Sequence, residues 1–246
     1  MEPLLLLLAL TASGGDVLGG FIVTAPRRMG DRTLSLLIAL GAGNLLGVAL
    51  IELIPETVEH AGAGGPLLVL AGYLFIHFFE HVFAPHFHFG EETHGTNVVD
   101  THVTSTALIG LALHAFMDGV AISSAFVTSP GLGVLVFAAI MLHKLPEGFT
   151  IASVMKAAGT TRRWAMTAAG LLAIATFLGV VATSAIGDLA PYALAIATGS
   201  VLYVGATDLM AEVNKQEGIL NPVMVMVGTA MFFGVLALVR IAGIQV

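Results

Sequence analysis

Residues 103–127 read VTSTALIGLALHAFMDGVAISSAFV, and residues 131–155 read GLGVLVFAAIMLHKLPEGFTIASVM. Each is apolar enough and long enough to cross a bilayer, which takes about 20 residues. Each also carries, near its centre, a histidine followed four residues later by a carboxylate: His114 with Asp118, and His143 with Glu147. An i,i+4 spacing stacks two side chains on one helix face. Imidazole and carboxylate so placed can grip a divalent transition metal. Ionisable groups at membrane depth are costly and mark ion paths or relays. One such pair alone reads as a buried, hydrogen-bonded histidine. Two copies on neighbouring segments argue that the two faces meet around one ion.

The rest of the chain is of the same character. It has 246 residues, 57% hydrophobic and 10% charged, with a mean hydropathy of +0.96, where a soluble domain is about 25% charged. This composition places the chain in a membrane, as a single transmembrane domain over residues 1–246. The net charge of −7 comes without any basic patch, which excludes a nucleic-acid partner. With no cysteine, disulfides and thiolate metal sites are both excluded. A metal would be held by nitrogen and oxygen, which suits an ion that must also leave. The partners are accordingly divalent metal ions and the lipid bilayer, with a homodimer as the expected assembly and the cell membrane, plasma or inner, as the expected location.

Eight spans are expected, at residues 3–24, 34–57, 66–84, 103–127, 131–155, 165–187, 189–212 and 221–241. The start, Met1-Glu2-Pro3-Leu4, lacks a basic leader and runs past Asp16 to Val23, so it is expected to be a first membrane helix and not a cleaved signal. Lysine and arginine set the orientation. Arg27, Arg28 and Arg32 follow span 1; Lys156, Arg162 and Arg163 join spans 5 and 6; Lys215 joins spans 7 and 8. The alternate loops hold no basic residue, which puts both termini outside and the His-rich loop 85–102 in the cytoplasm. That loop carries His86, His88, His94 and His102; histidine tracts of this kind hold metal loosely, so His86, His88 and His94 are read as a capture site.

Span 2 contains GNLLGVALIELIPE from Gly43, and span 7 contains GSVLYVGATDLMAE from Gly199. Glu52 aligns with Asp208 and Glu56 with Glu212, although sequence of such low complexity also matches by chance. The two spans run in opposite directions, as do spans 4 and 5, and inverted repeats around a midplane site are a recurring transporter build.

Asp118, Glu147 and one divalent ion make a neutral unit, cheaper to bury than any of its parts. Pro146 and Pro55 cannot donate to the carbonyls of Leu142 and Ile51, which predicts a kink or break beside His143 and beside Glu52. Gly119 and Gly148 are expected to bring spans 4 and 5 close together. Lys144, mid-span beside His143, is expected to pair with Asp118, Glu147 or Asp208 and to repel a second metal. Asn44, Glu52, Glu56, His77, His81, Asp208 and Glu212 form a further set of candidate pathway residues. Glu59 and His60 read as ordinary interfacial groups.

On these motifs the chain resembles the ZIP (Zrt/Irt-like) family of divalent metal transporters. His114, Asp118 and Gly119 match the family's span 4 pattern; His143, Pro146 and Glu147 match its span 5 pattern. The resemblance implies eight helices in a 3+2+3 arrangement, with spans 1–3 and 6–8 as inverted repeats. It also implies zinc as the transported substrate, and sometimes Fe2+, Mn2+ or Cd2+, moving into the cytoplasm between spans 4 and 5. Two departures matter. Ala115 stands where many members have an asparagine ligand, and Lys144 stands where many have a carboxylate of a binuclear site. A single-metal site is the implied result. The competing class is an intramembrane zinc hydrolase, with Ser123 or Ser124 near the metal; a metal sensor without transport is a third.

Overall fold

The computed structural model describes residues 2–25, 30–83, 101–215 and 217–243. Ten α-helices account for most of them: α1 (Pro3–Thr24), α2 (Asp31–Val48), α3 (Ile54–Ala61), α4 (Gly65–Phe83), α5 (Thr101–Thr128), α6 (Pro130–Ala157), α7 (Arg162–Ser184), α8 (Ala190–Tyr203), α9 (Met210–Lys215) and α10 (Leu220–Ile241). No strand occurs among the described residues. Helices satisfy every backbone donor and acceptor within one segment, which hydrocarbon demands. Proline opens α1, α6 and α8, where its missing N–H costs nothing. Ser129 caps α6 by accepting the Leu132 N–H at 3.2 Å. Leu7, Leu67, Phe78, Met226 and Leu238 face outward, which is tolerated where lipid tails are as apolar as leucine itself.

Among the described residues, seven helical stretches are long and apolar enough to cross a membrane. The count differs from eight because residues 34–57 and 66–84 fall in one helical run, Arg32–Val82, of 51 residues. Within it Gly62 takes a positive φ of 63° and starts a 3-10 turn, Gly62–Gly64, between α3 and α4. A β-carbon on Gly65 would stand 2.3 Å from the Thr57 carbonyl oxygen, so the start of α4 lies directly against α3.

Two π-helical turns interrupt the α-geometry. Ala49–Leu53 joins α2 to α3, and Val204–Leu209 joins α8 to α9. The register that sets Gly43 on Gly199 sets Ala49–Leu53 on Gly205–Leu209. Pro55 follows the first turn, but Ala211 stands at the matching place after the second, so proline is not the common cause. At Pro146 the expected interruption does not occur; α6 is helical from Pro130 to Ala157.

The helices pack chiefly in four pairs: α1 on α6, α5 on α7, α2 on α10 and α4 on α8. A reciprocal glycine contact sits in each. Added β-carbons would meet backbone oxygens as follows: Gly148 to Asp16 at 1.9 Å and Gly19 to Leu145 at 2.2 Å; Gly119 to Thr176 at 2.0 Å and Gly179 to Phe116 at 2.1 Å. Likewise Gly43 meets Val225 at 1.9 Å and Gly228 meets Leu40 at 2.0 Å, while Gly72 meets Ile196 and Gly199 meets Val69, both at 2.0 Å. Gly119 and Gly148 therefore seat α5 on α7 and α6 on α1, and not α5 on α6 as expected. The reason is angular: one residue past a carboxylate is about 100° around the helix, so the glycine faces a different neighbour. Contacts of α5 with α6 and of α1 with α7 close a four-helix bundle, which α2 and α8 join from outside.

Candidate metal centre

The i,i+4 spacing places His114 and Asp118 on one face of α5, and His143 and Glu147 on one face of α6. Packing of α5 against α6 brings those faces together, and each of the four buried residues offers a ligand atom within 4.8 Å of the others. His143 Nε2 lies 3.1 Å from Asp118 Oδ2, and His114 Nε2 lies 3.4 Å from the same oxygen. The imidazole centroids are 5.4 Å apart. Both ring nitrogens of His114, Nδ1 of His143 and Oε1 of Glu147 are buried without a hydrogen-bond partner. Unpaired buried polar atoms cost about 1–3 kcal/mol each, and a cation among them would offset part of that. The donor set, two imidazoles and two carboxylates, suits zinc.

Lys144 is wholly buried in the same place. Its Nζ stands 2.7 Å from Glu147 Oε2, 2.9 Å from Asp118 Oδ2 and 3.6 Å from Asp16 Oδ2. Two of the three expected partners are there; Asp208 is not. It sits on the second π-turn, packed with α2, α8 and α9. The third carboxylate is Asp16 of α1, because Gly148 lets the backbone of Asp16 close on α6. Asp16 was not among the expected site residues. Its one sequence signal is that of a lone acid in an apolar span.

The other candidates lie apart from this cluster. Glu52, on the first π-turn, has Oε1 3.6 Å from Arg240 Nη2. Glu56 pairs with His60 at 3.0 Å. His77 and His81 stack on α4 with centroids 4.1 Å apart, His77 meets Tyr203 at 5.9 Å, and Asp208 is partly buried. Glu212 is buried and 3.3 Å from Lys215 Nζ; Asn44 is buried in α2. His86, His88 and His94, with the His102 side chain, lie outside the described residues. Ser124 donates to the Val120 carbonyl of its own helix at 2.6 Å, so its hydroxyl is already engaged.

Imidazoles, carboxylates and one lysine gathered inside apolar helices define a membrane protein fitted to hold a divalent metal ion. Residues 92–236, more than half of the chain, match the family model described as ZIP Zinc transporter. The chain is 30% identical over 241 aligned positions to Zinc transporter ZIP9 of Micropogonias undulatus, covering 74% of this chain and 76% of that protein. It is 28% identical over 260 positions to Zinc transporter ZIP9-B of Xenopus laevis, covering 84% of each. Similarity to Zinc transporter ZIP10 of Mus musculus is 29% over 131 positions, half of this chain and 16% of that one. The chain belongs to the ZIP zinc transporter family. It is a transporter and not an enzyme, and the hydrolase alternative has no support.

Proposed function

We propose that this protein carries zinc into the cytoplasm through the cluster of His114, Asp118, His143 and Glu147. One observation carries the reading: four ligand-bearing side chains from two helices converge within 4.8 Å, all buried. Zinc bonds of about 2.0–2.1 Å in a tetrahedron put ligand atoms about 3.3 Å apart, so the group needs to contract only modestly to close on an ion. Asp118 and Glu147 offset its charge. Lys144 occupies the ground of a second cation, which limits the centre to one metal. Fe2+, Mn2+ and Cd2+ belong to the reading as alternative substrates that the same donors could accept.

The topology in this proposal has eight spans. The Arg32–Val82 run would be about 76 Å long if straight, at 1.5 Å per residue, against a hydrocarbon core of about 30 Å. We read it as two passes turning at Gly62–Gly64. Matching π-turns and glycine contacts support inverted repeats flanking α5 and α6, a 3+2+3 order with both termini outside. Asn44, Glu52, Glu56, His77, His81, Asp208 and Glu212 line the route in this reading, His86, His88 and His94 gather metal at its cytoplasmic side, and the cell membrane houses the protein as a homodimer.

Zinc uptake into proteoliposomes loaded with a zinc-sensitive dye tests the function. Dye response that depends on the protein and disappears in His143→Ala supports it. No uptake by folded wild-type protein sinks it. Native mass spectrometry tests the stoichiometry, where two tightly held ions per chain would show that Lys144 does not exclude a second.

A further inference from the structure

We infer that Lys144 is a tethered cation with two stations: it holds the ligand carboxylates when metal is absent and moves onto Asp16 when metal is bound. This rests on the metal-site reading above. The ammonium contacts the two carboxylates that would coordinate the ion, Glu147 at 2.7 Å and Asp118 at 2.9 Å. Asp118 Oδ2 is also the oxygen nearest both imidazoles. A divalent ion and an ammonium cannot share that oxygen without strong repulsion at low dielectric. The lysine therefore has to yield.

Its surroundings leave it one way to go. Lys144 has no exposed surface, and a β-carbon on Gly15 would lie 2.8 Å from its own, so α1 walls in the stem and prevents snorkelling to water. Asp16 Oδ2 is 3.6 Å from Nζ, beyond a hydrogen bond but within a move of under about 1 Å of one. The carboxylate is ready to receive it. Asp16 Oδ1 is buried without a partner. Oδ2 also faces the Thr176 hydroxyl, at 3.5 Å, whose single proton is better directed to the Leu172 carbonyl at 3.2 Å. The side chain of Glu147, a second carboxyl group with no proton to donate when ionised, lies within hydrogen-bonding reach of Asp16. A buried carboxylate so poorly served is costly unless a cation comes to it.

The charges agree with this exchange. Asp16, Asp118 and Glu147 supply three negative charges, while Lys144 and one divalent ion supply three positive ones. The loaded centre is neutral. When the ion departs, the ammonium spans Asp118 and Glu147, so the empty centre is never left as bare buried carboxylates. Asp16 is thus a positioning residue: it binds no metal but decides where the competing cation rests.

Zinc titration calorimetry on the purified full chain in detergent tests this. Asp16→Asn removes the second station, and zinc affinity should fall roughly 10- to 100-fold, the usual effect of losing a partner behind the ligands. Adding Lys144→Met to that variant removes the competitor and should restore affinity to near wild type, which a merely structural role for Asp16 would not do. Wild-type affinity in Asp16→Asn overturns the inference. So does a double variant as weak as Asp16→Asn alone, which would make Asp16 a ligand or a packing residue. If Asp16→Asn does not fold, a structure of the wild-type protein with zinc bound decides. Nζ within about 3.2 Å of Asp16 and away from Asp118 supports it; Nζ still on Asp118 overturns it. Undiminished zinc binding by His143→Ala would instead bring down the metal site, and this inference with it.

Discussion

The bundle of α1, α5, α6 and α7 and the surrounding helices α2, α4, α8 and α10 are packed by the same device and filled with different chemistry. The principal pairs of both groups, α1 with α6, α5 with α7, α2 with α10 and α4 with α8, each close on two glycines that face a partner's carbonyl. Yet Asp16, Asp118, Lys144 and Glu147 are all buried in the bundle, whereas among the residues whose burial is described α2, α4, α8 and α10 bury no charged one. They are associated instead with the two π-turns, which carry Glu52 and Asp208. The cluster of Asp16, Asp118, Lys144 and Glu147 and the backbone irregularity are thus separated in space. A regular bundle fixes ligand positions to within a rotamer, while π-turns, which recur at functional sites, expose backbone groups and allow local rearrangement.

This contrast is open to attack at four points. The largest effect should come from the bundle's charges. His143→Ala or Glu147→Ala should cut zinc uptake at least about a hundredfold, a loss of ~2.7 kcal/mol, with insertion near normal. Wild-type uptake at matched protein levels would take α6 out of the metal site and end the distinction.

The shared packing comes next. Gly148→Val in the bundle and Gly72→Val outside it both drive side-chain atoms into a backbone oxygen 1.9–2.0 Å from the β-carbon. Each should cost about 1–3 kcal/mol or more, read as a lower melting temperature in detergent. Equal losses sharpen the claim that both groups use one device. A Gly148→Val protein as stable as wild type would show that α1 and α6 are not in close contact.

Glu52→Gln and Asp208→Asn should reduce uptake by at most about tenfold, or ~1.4 kcal/mol, because these residues stand outside the ligand cluster. A loss as deep as that of Glu147→Ala would move an obligatory site onto the π-turns. The smallest effect is expected from the loop. Replacing His86, His88, His94 and His102 with serine should alter apparent affinity about threefold or less, ~0.7 kcal/mol. Complete loss of uptake by the folded variant would put the loop on the obligatory path.

Much of this molecule was legible from local spacing. Apolar length marked the helices, since hydrocarbon selects them by composition alone. The pairs His114–Asp118 and His143–Glu147 were legible because four residues along a helix always return to one face. The match of Gly43–Glu56 with Gly199–Glu212 was legible too, and the π-turns fall at corresponding places within it. Which surfaces meet is a different kind of fact. Gly119 and Gly148 announced close approach but not to α7 and α1; Pro146 suggested a break that α6 does not make. Asp16 is 128 residues from Lys144 by subtraction of their positions, 144 − 16, and nothing local to either predicts their meeting. Periodicity is written along one helix, and so the sequence by itself settled which histidine and which carboxylate share a helix face. The lysine's partners depend on how separate helices dock, and docking is decided by the shape and burial of the whole assembled bundle.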